Sequence, residues 1–129
     1  MTKPLKATFR PVDGTGDVSV TGSMENVVSL FRATDWPAAW SKNGGDPTAF
    51  PELVVERVSD GDALYLAFDG SRGDFQCTTI VRVPKKVLGL ALMSDDWESD
   101  AVNLHPETIA GVLAAFCAKD IEKLRTFWE

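Results

Sequence analysis

Apolar residues recur along the chain in two rhythms, and the switch between them predicts an α+β fold. Leu5 to Val12, the turn Asp13-Gly14-Thr15-Gly16-Asp17 and Val18-Ser19-Val20-Thr21 read as a hairpin with a glycine-rich connection. Ser23 then precedes Met24, Val27, Val28 and Phe31, which fall at i, i+3, i+4 and i+7 and so share one face of a helix that Ser23 caps. Asp35 followed by Trp36-Pro37 has the order of an N-cap and an early-helix proline. It predicts a short helix over Trp36 to Lys42 that presents Trp36 and Trp40 together. Asn43-Gly44-Gly45-Asp46-Pro47 ends it in a loop, because glycine permits positive φ and proline blocks continuation.

From Leu53 the period becomes two. Leu53 to Val58, Ala63 to Asp69 and Phe75 to Val83 are separated by the turns Ser59-Asp60-Gly61-Asp62 and Gly70-Ser71-Arg72-Gly73, the signature of an antiparallel meander. Leu64, Leu66 and Phe68 share one face of their strand, as do Phe75, Cys77, Thr79, Val81 and Val83 of the next. Val87 to Met93 is apolar on both faces, as a covered strand would be, so the predicted meander runs from about 52 to 93. Ser94 to Asp100 reads as an acidic loop. Pro106 opens a helix whose buried stripe is Ile109, Val112, Leu113 and Phe116. Ile121 to Trp128 fits either period: Ile121, Leu124 and Trp128 suit a helix, while Leu124, Thr126 and Trp128 suit an edge strand, which is the expectation. The helices should pack on one face of the antiparallel sheet.

A length of 129 residues with 44% hydrophobic content supplies a core without disulfide or metal, and predicts a single domain over 1–129. Met1 to Val12 lacks the apolar run of an export signal, which points to the cytoplasm. Val83 to Met93, the longest largely apolar stretch, contains Pro84, Lys85 and Lys86 and is too short to span a bilayer, so no membrane role is expected. In a reducing compartment Cys77 and Cys117, each set in an apolar pattern, read as small buried hydrophobes. A net charge of −6 and a pI near 4.7 argue against direct nucleic-acid binding and favour a basic partner.

The chemistry-bearing residues are sparse. His105, the only histidine, directly precedes the helix proline and reads as a helix-start residue; nothing local marks Cys77 as an activated thiolate beside it. One His and two separated Cys do not make a structural zinc set, and Asp95 to Asp100 lacks the alternating ligands, central Gly and terminal Glu of a calcium loop. The glycines at 14, 16, 70 and 73 are hairpin turns without the Lys-Ser/Thr of a phosphate loop. No catalytic residue, metal or cofactor is therefore assigned. Charge segregation is more informative: no Lys or Arg falls between Val87 and Ala118, whereas Asp95, Asp96, Glu98, Asp100 and Glu107 do. Four carboxylates around Trp97 combine an aromatic anchor with a field that attracts a cationic surface. Asp95, Asp96, Trp97, Glu98 and Asp100 are the partner-binding candidates, with Asp60 and Asp62 as outlying additions and Asp69 and Asp74 as further strand-end carboxylates.

Phe50-Pro51-Glu52-Leu53-Val54-Val55, Ala63-Leu64-Tyr65-Leu66-Ala67-Phe68 and the ending Pro106-Glu107-Thr108-Ile109-Ala110, Ala114-Ala115-Phe116 and Trp128 resemble the small immunity proteins of bacterial polymorphic-toxin and contact-dependent inhibition systems. The resemblance covers roughly Phe50 to Glu129. Relatives often carry a Gly/Arg-Pro turn before the last strand, where this chain has Ala118-Lys119-Asp120-Ile121-Glu122-Lys123. It implies a non-catalytic protein that binds a cognate toxin domain and blocks its active site, its carboxylates taking the place of phosphates in a basic cleft. Two other readings share the composition: a phage antidefence protein that mimics nucleic acid, and a small-molecule-binding or enzymatic domain with a pocket between the sheet and Trp36/Trp40.

Overall fold

The first ladder forms where β-branched and aromatic residues alternate with polar ones: Leu5–Arg10 (β1) pairs antiparallel with Val18–Gly22 (β2), Ala7 opposite Val20. The structure, a computed structural model, describes residues 5–12, 17–42, 49–58, 61–87 and 90–127; at 18, 82–87 and 90–101 it describes the backbone alone. The turn residues 13–16, the loop expected at 43–47, Ser59 and Asp60, and Trp128 lie outside the described residues.

Two helices follow. Met24–Ala33 (α1) buries Val27 and packs Val28, Leu30 and Phe31 against the core, leaving Met24 exposed; Ser23 has the extended backbone of an N-cap, but its side chain makes no capping bond. Trp36–Ser41 (α2) is capped as expected, the Asp35 carboxylate accepting from the Ala38 N–H at 3.1 Å. Glu52–Arg57 (β3), Asp62–Asp69 (β4), Asp74–Val87 (β5) and Leu90–Leu104 (β6) complete a six-stranded sheet in the order β2-β1-β3-β4-β5-β6, every neighbouring pair antiparallel. Pro106–Cys117 (α3) and Ile121–Thr126 (α4) close the chain.

Two expectations are corrected. Val87 to Met93 is not one strand, and Ser94 to Asp100 is not a loop: β5 runs on to Val87, β6 starts at Leu90 opposite it, and the acidic residues lie within β6. The sequence around Pro84 looks like a strand end because proline lacks an N–H. The ladder instead shifts register between Pro84 and Lys86 and continues. Asp and Ser disfavour strands, and pairing with β5 overrides that weak preference.

The second correction is Ile121 to Thr126, a helix and not an edge strand. Lys119 takes a left-handed conformation, φ 54°, while its N–H reaches the Phe116 carbonyl and that of Asp120 reaches Ala115, a Schellman end to α3. The chain turns back there. The Asp120 carboxylate then accepts from the Lys123 N–H at 3.1 Å, starting α4, which buries Leu124.

The helices cover one face of the sheet. Leu5, Ala7, Leu53, Val55, Leu64, Leu66, Phe68, Phe75, Cys77 and Val81 share the face that meets Val27, Trp36 and the α3 stripe Ile109, Val112, Leu113 and Phe116. Each large side chain so buried contributes about 1.5–3 kcal/mol. On the other face Val54 is buried between the cross-strand neighbours Thr8 and Tyr65, and the Thr8 and Ser19 hydroxyls lie 3.1 Å apart. No helix among the described residues is long and apolar enough to cross a membrane.

Candidate functional site

Strand register decides how the acidic candidates are grouped. Val83 stands opposite Asp96, Val81 opposite Glu98 and Thr79 opposite Asp100, so positions 96, 98 and 100 fall on the sheet face that carries the helices. Pro84 stands opposite Asp95 and Arg82 opposite Trp97, so positions 95 and 97 fall on the other face. The positions of the single rim expected around Trp97 are therefore divided between two faces, because neighbouring strand positions alternate. Charge segregation along the chain is also offset in space: Arg82, Lys85 and Lys86 belong to β5, the strand that pairs with the acidic one. On the face of 96, 98 and 100, however, the residues directly across are Val83, Val81 and Thr79, none of them cationic.

Among the described residues, β5 beyond Ile80 is paired with β6 alone, and β6 closes the sheet order with no strand on its far side. A strand in that position offers backbone N–H and C=O groups to a partner.

Of the other proposed carboxylates, Asp62, Asp69 and Asp74 each have a partner within the protein. Asp62 is not a surface residue: it is 0% exposed, accepts from Arg57 Nε at 3.1 Å and lies 3.3 Å from Lys119 Nζ. Arg57, 3% exposed, also donates to the Phe116 and Cys117 carbonyls and lies over the Phe116 ring, 5.2 Å from its centre. A guanidinium at the C-terminal end of α3 satisfies carbonyls the helix leaves open and opposes its dipole. Asp60 is outside the described residues. Asp69 is buried and accepts from the Ser71 N–H and hydroxyl, and Asp74 pairs with Arg72 at 3.4 Å. The Arg57–Asp62–Lys119 network was missed in the sequence. Its signal is parity, since position 57 continues the inward series Leu53, Val55, where a lone cation requires a buried counter-charge.

His105 is exposed at the N-cap of α3 and makes no side-chain capping bond. Burial pushes the Cys77 thiol up to about 12, the opposite of the shift that activates a nucleophile. Burial likewise raises Cys117 to about 11, against the lowering influence of the nearby Arg57 charge. Among the described residues no group of three His, Cys, Asp or Glu side chains gathers to hold a metal ion.

The pocket expected between the sheet and Trp36/Trp40 has a counterpart that Trp36 lines and Trp40 does not. Phe31, Trp36, Phe68 and Phe75 pack ring against ring, and a groove of about 400 Å³ opens over them beside Arg32 and Pro106. The expectation of an indole pair at Trp36 and Trp40 is met only in part. Trp36 joins this cluster, whereas Trp40 lies against Gly70, where an added Cβ would fall 2.4 Å from the indole.

No family model matches the chain, and neither the curated proteins nor the solved structures hold a match to it.

Proposed function

We propose that the protein acts by binding: it neutralises a basic protein stoichiometrically, as an immunity protein neutralises a bacterial toxin domain, and the acidic stretch of β6 is the contact. One observation carries this reading, the alternation of Asp96, Glu98 and Asp100 on one face of an edge strand with no cation directly across from them. Alternate strand positions stand about 6.6–6.8 Å apart, a spacing at which Lys and Arg side chains of a partner cleft can meet positions 96, 98 and 100 one by one. Such complementarity speeds encounter and excludes uncharged competitors.

The test is photo-crosslinking from position 98 in the producing cell, to capture and identify the partner, followed by stopped-flow association with the purified pair. The triple change Asp96→Ser, Glu98→Ser and Asp100→Ser should slow association about tenfold at low salt and less at high salt, with Asp95→Ser nearly unchanged. Wild-type association kinetics in the triple variant would exclude β6 as the contact.

A further inference from the structure

The aromatic groove has the makings of a small-molecule site at the other end of β5 from the acidic ribbon. Its volume of about 400 Å³ lies within the range of ligand pockets. Its walls are already ordered by their own packing: Trp36 meets Phe75 edge-on at 5.1 Å, Phe31 lies 5.5 Å from Phe75, and Phe68 lies 5.1 Å from Phe75. A ligand entering it meets preformed rings and causes little further loss of side-chain freedom.

The polar groups around the groove narrow the ligand class. Trp36 Nε1 donates to the Phe31 carbonyl at 3.2 Å, Thr34 Oγ1 donates to the Leu30 carbonyl at 2.8 Å, and the Gly73 N–H donates to the Asp69 carbonyl at 2.8 Å. Those donors are occupied. Arg32 lines the same groove, is exposed, and has no hydrogen-bond or ion-pair partner among the described residues. The groove therefore combines an apolar interior with one available cation, whose planar fork matches a carboxylate bidentately. A second anionic group would have to lie against the electron-rich ring faces.

We propose that this groove binds a small amphipathic monocarboxylate, its aromatic or aliphatic body over Phe31, Trp36, Phe68 and Phe75 and its carboxylate on the Arg32 guanidinium.

The probes are 4-phenylbutyrate and its uncharged analogue 4-phenylbutanamide, titrated into the full chain while the Trp36 indole N–H signal is followed by NMR. The acid should shift that signal saturably and bind about tenfold or more tighter than the amide. Arg32→Gln should bring the acid down to the affinity of the amide and leave the amide unchanged, whereas Lys6→Gln should alter neither; the same spectra report that each variant is folded. An unmoved Trp36 signal at millimolar acid, equal binding of acid and amide by the wild type, or full discrimination retained in Arg32→Gln would each overturn the proposal.

Discussion

Asp62 has no access to water, and its charge is tolerated because Arg57 and Lys119 stand 3.1 and 3.3 Å away. Removing one member of a buried pair leaves the other uncompensated, so Asp62→Ala should cost about 3–5 kcal/mol in urea unfolding. The apolar double change Arg57→Met with Asp62→Leu should recover much of that loss, since it removes both desolvated charges together. Cys77 supplies a pH-linked contribution. Its thiol is raised from 9.0 to about 12, so the folded state holds the proton where the unfolded chain releases it. The associated stability is complete below pH 9 and is lost as pH rises towards 12, by about 1.4 kcal/mol per pH unit. Between pH 8 and 10.5 the wild type should lose about 2 kcal/mol through this thiol, a loss absent from Cys77→Ala when both are compared by urea midpoints.

The final helix depends on few residues. Asp120 caps α4 through the Lys123 N–H, so Asp120→Ala should destabilise the protein by about 1 kcal/mol, read as a lower thermal midpoint. Gly111 of α3 shows how closely α4 approaches, because a Cβ there would lie 3.2 Å from Phe127 Cζ. The β4–β5 turn is tighter still. At Gly70 an added methyl would fall well inside van der Waals contact with the Trp40 ring, so Gly70→Ala must displace the indole, α2 or the turn. Overpacking of that kind costs about 1–3 kcal/mol, and a changed Trp40 emission alongside the lost stability would locate the displacement.

One sheet, covered by helices on a single face, leaves β6 at an edge unpaired among the described residues. Long open edges invite pairing with a second copy, and charged residues are a common protection against it. The acidic row thus has two roles in the proposed function: it repels a second β6 and attracts a cationic partner. Replacing Asp96, Glu98 and Asp100 by Ser should therefore raise self-association, measured by sedimentation at increasing protein concentration, while it slows binding to the partner. The groove at Trp36 and the acidic ribbon lie towards opposite ends of β5, so changes at one should leave the other's binding unaltered.

Local rules carried most of the architecture. Period two over Leu64, Leu66 and Phe68, the i, i+3, i+4 spacing of Ile109, Val112, Leu113 and Phe116, and the Asp35-Trp36-Pro37 start signal each describe interactions between residues close in sequence, and the sheet with helices on one face follows from them. Three matters depended on residues far apart in the chain. Pairing with β5 turned an Asp- and Ser-rich stretch into strand and split its acidic positions between two faces. Arg57 drew Asp62 inside by reaching the carbonyls at the end of α3, about sixty positions further along. The aromatic groove exists only where α1, α2, β4, β5 and the start of α3 meet. Alternation of apolar residues states which side of an element is buried, but not which distant backbone or charge it will be buried against.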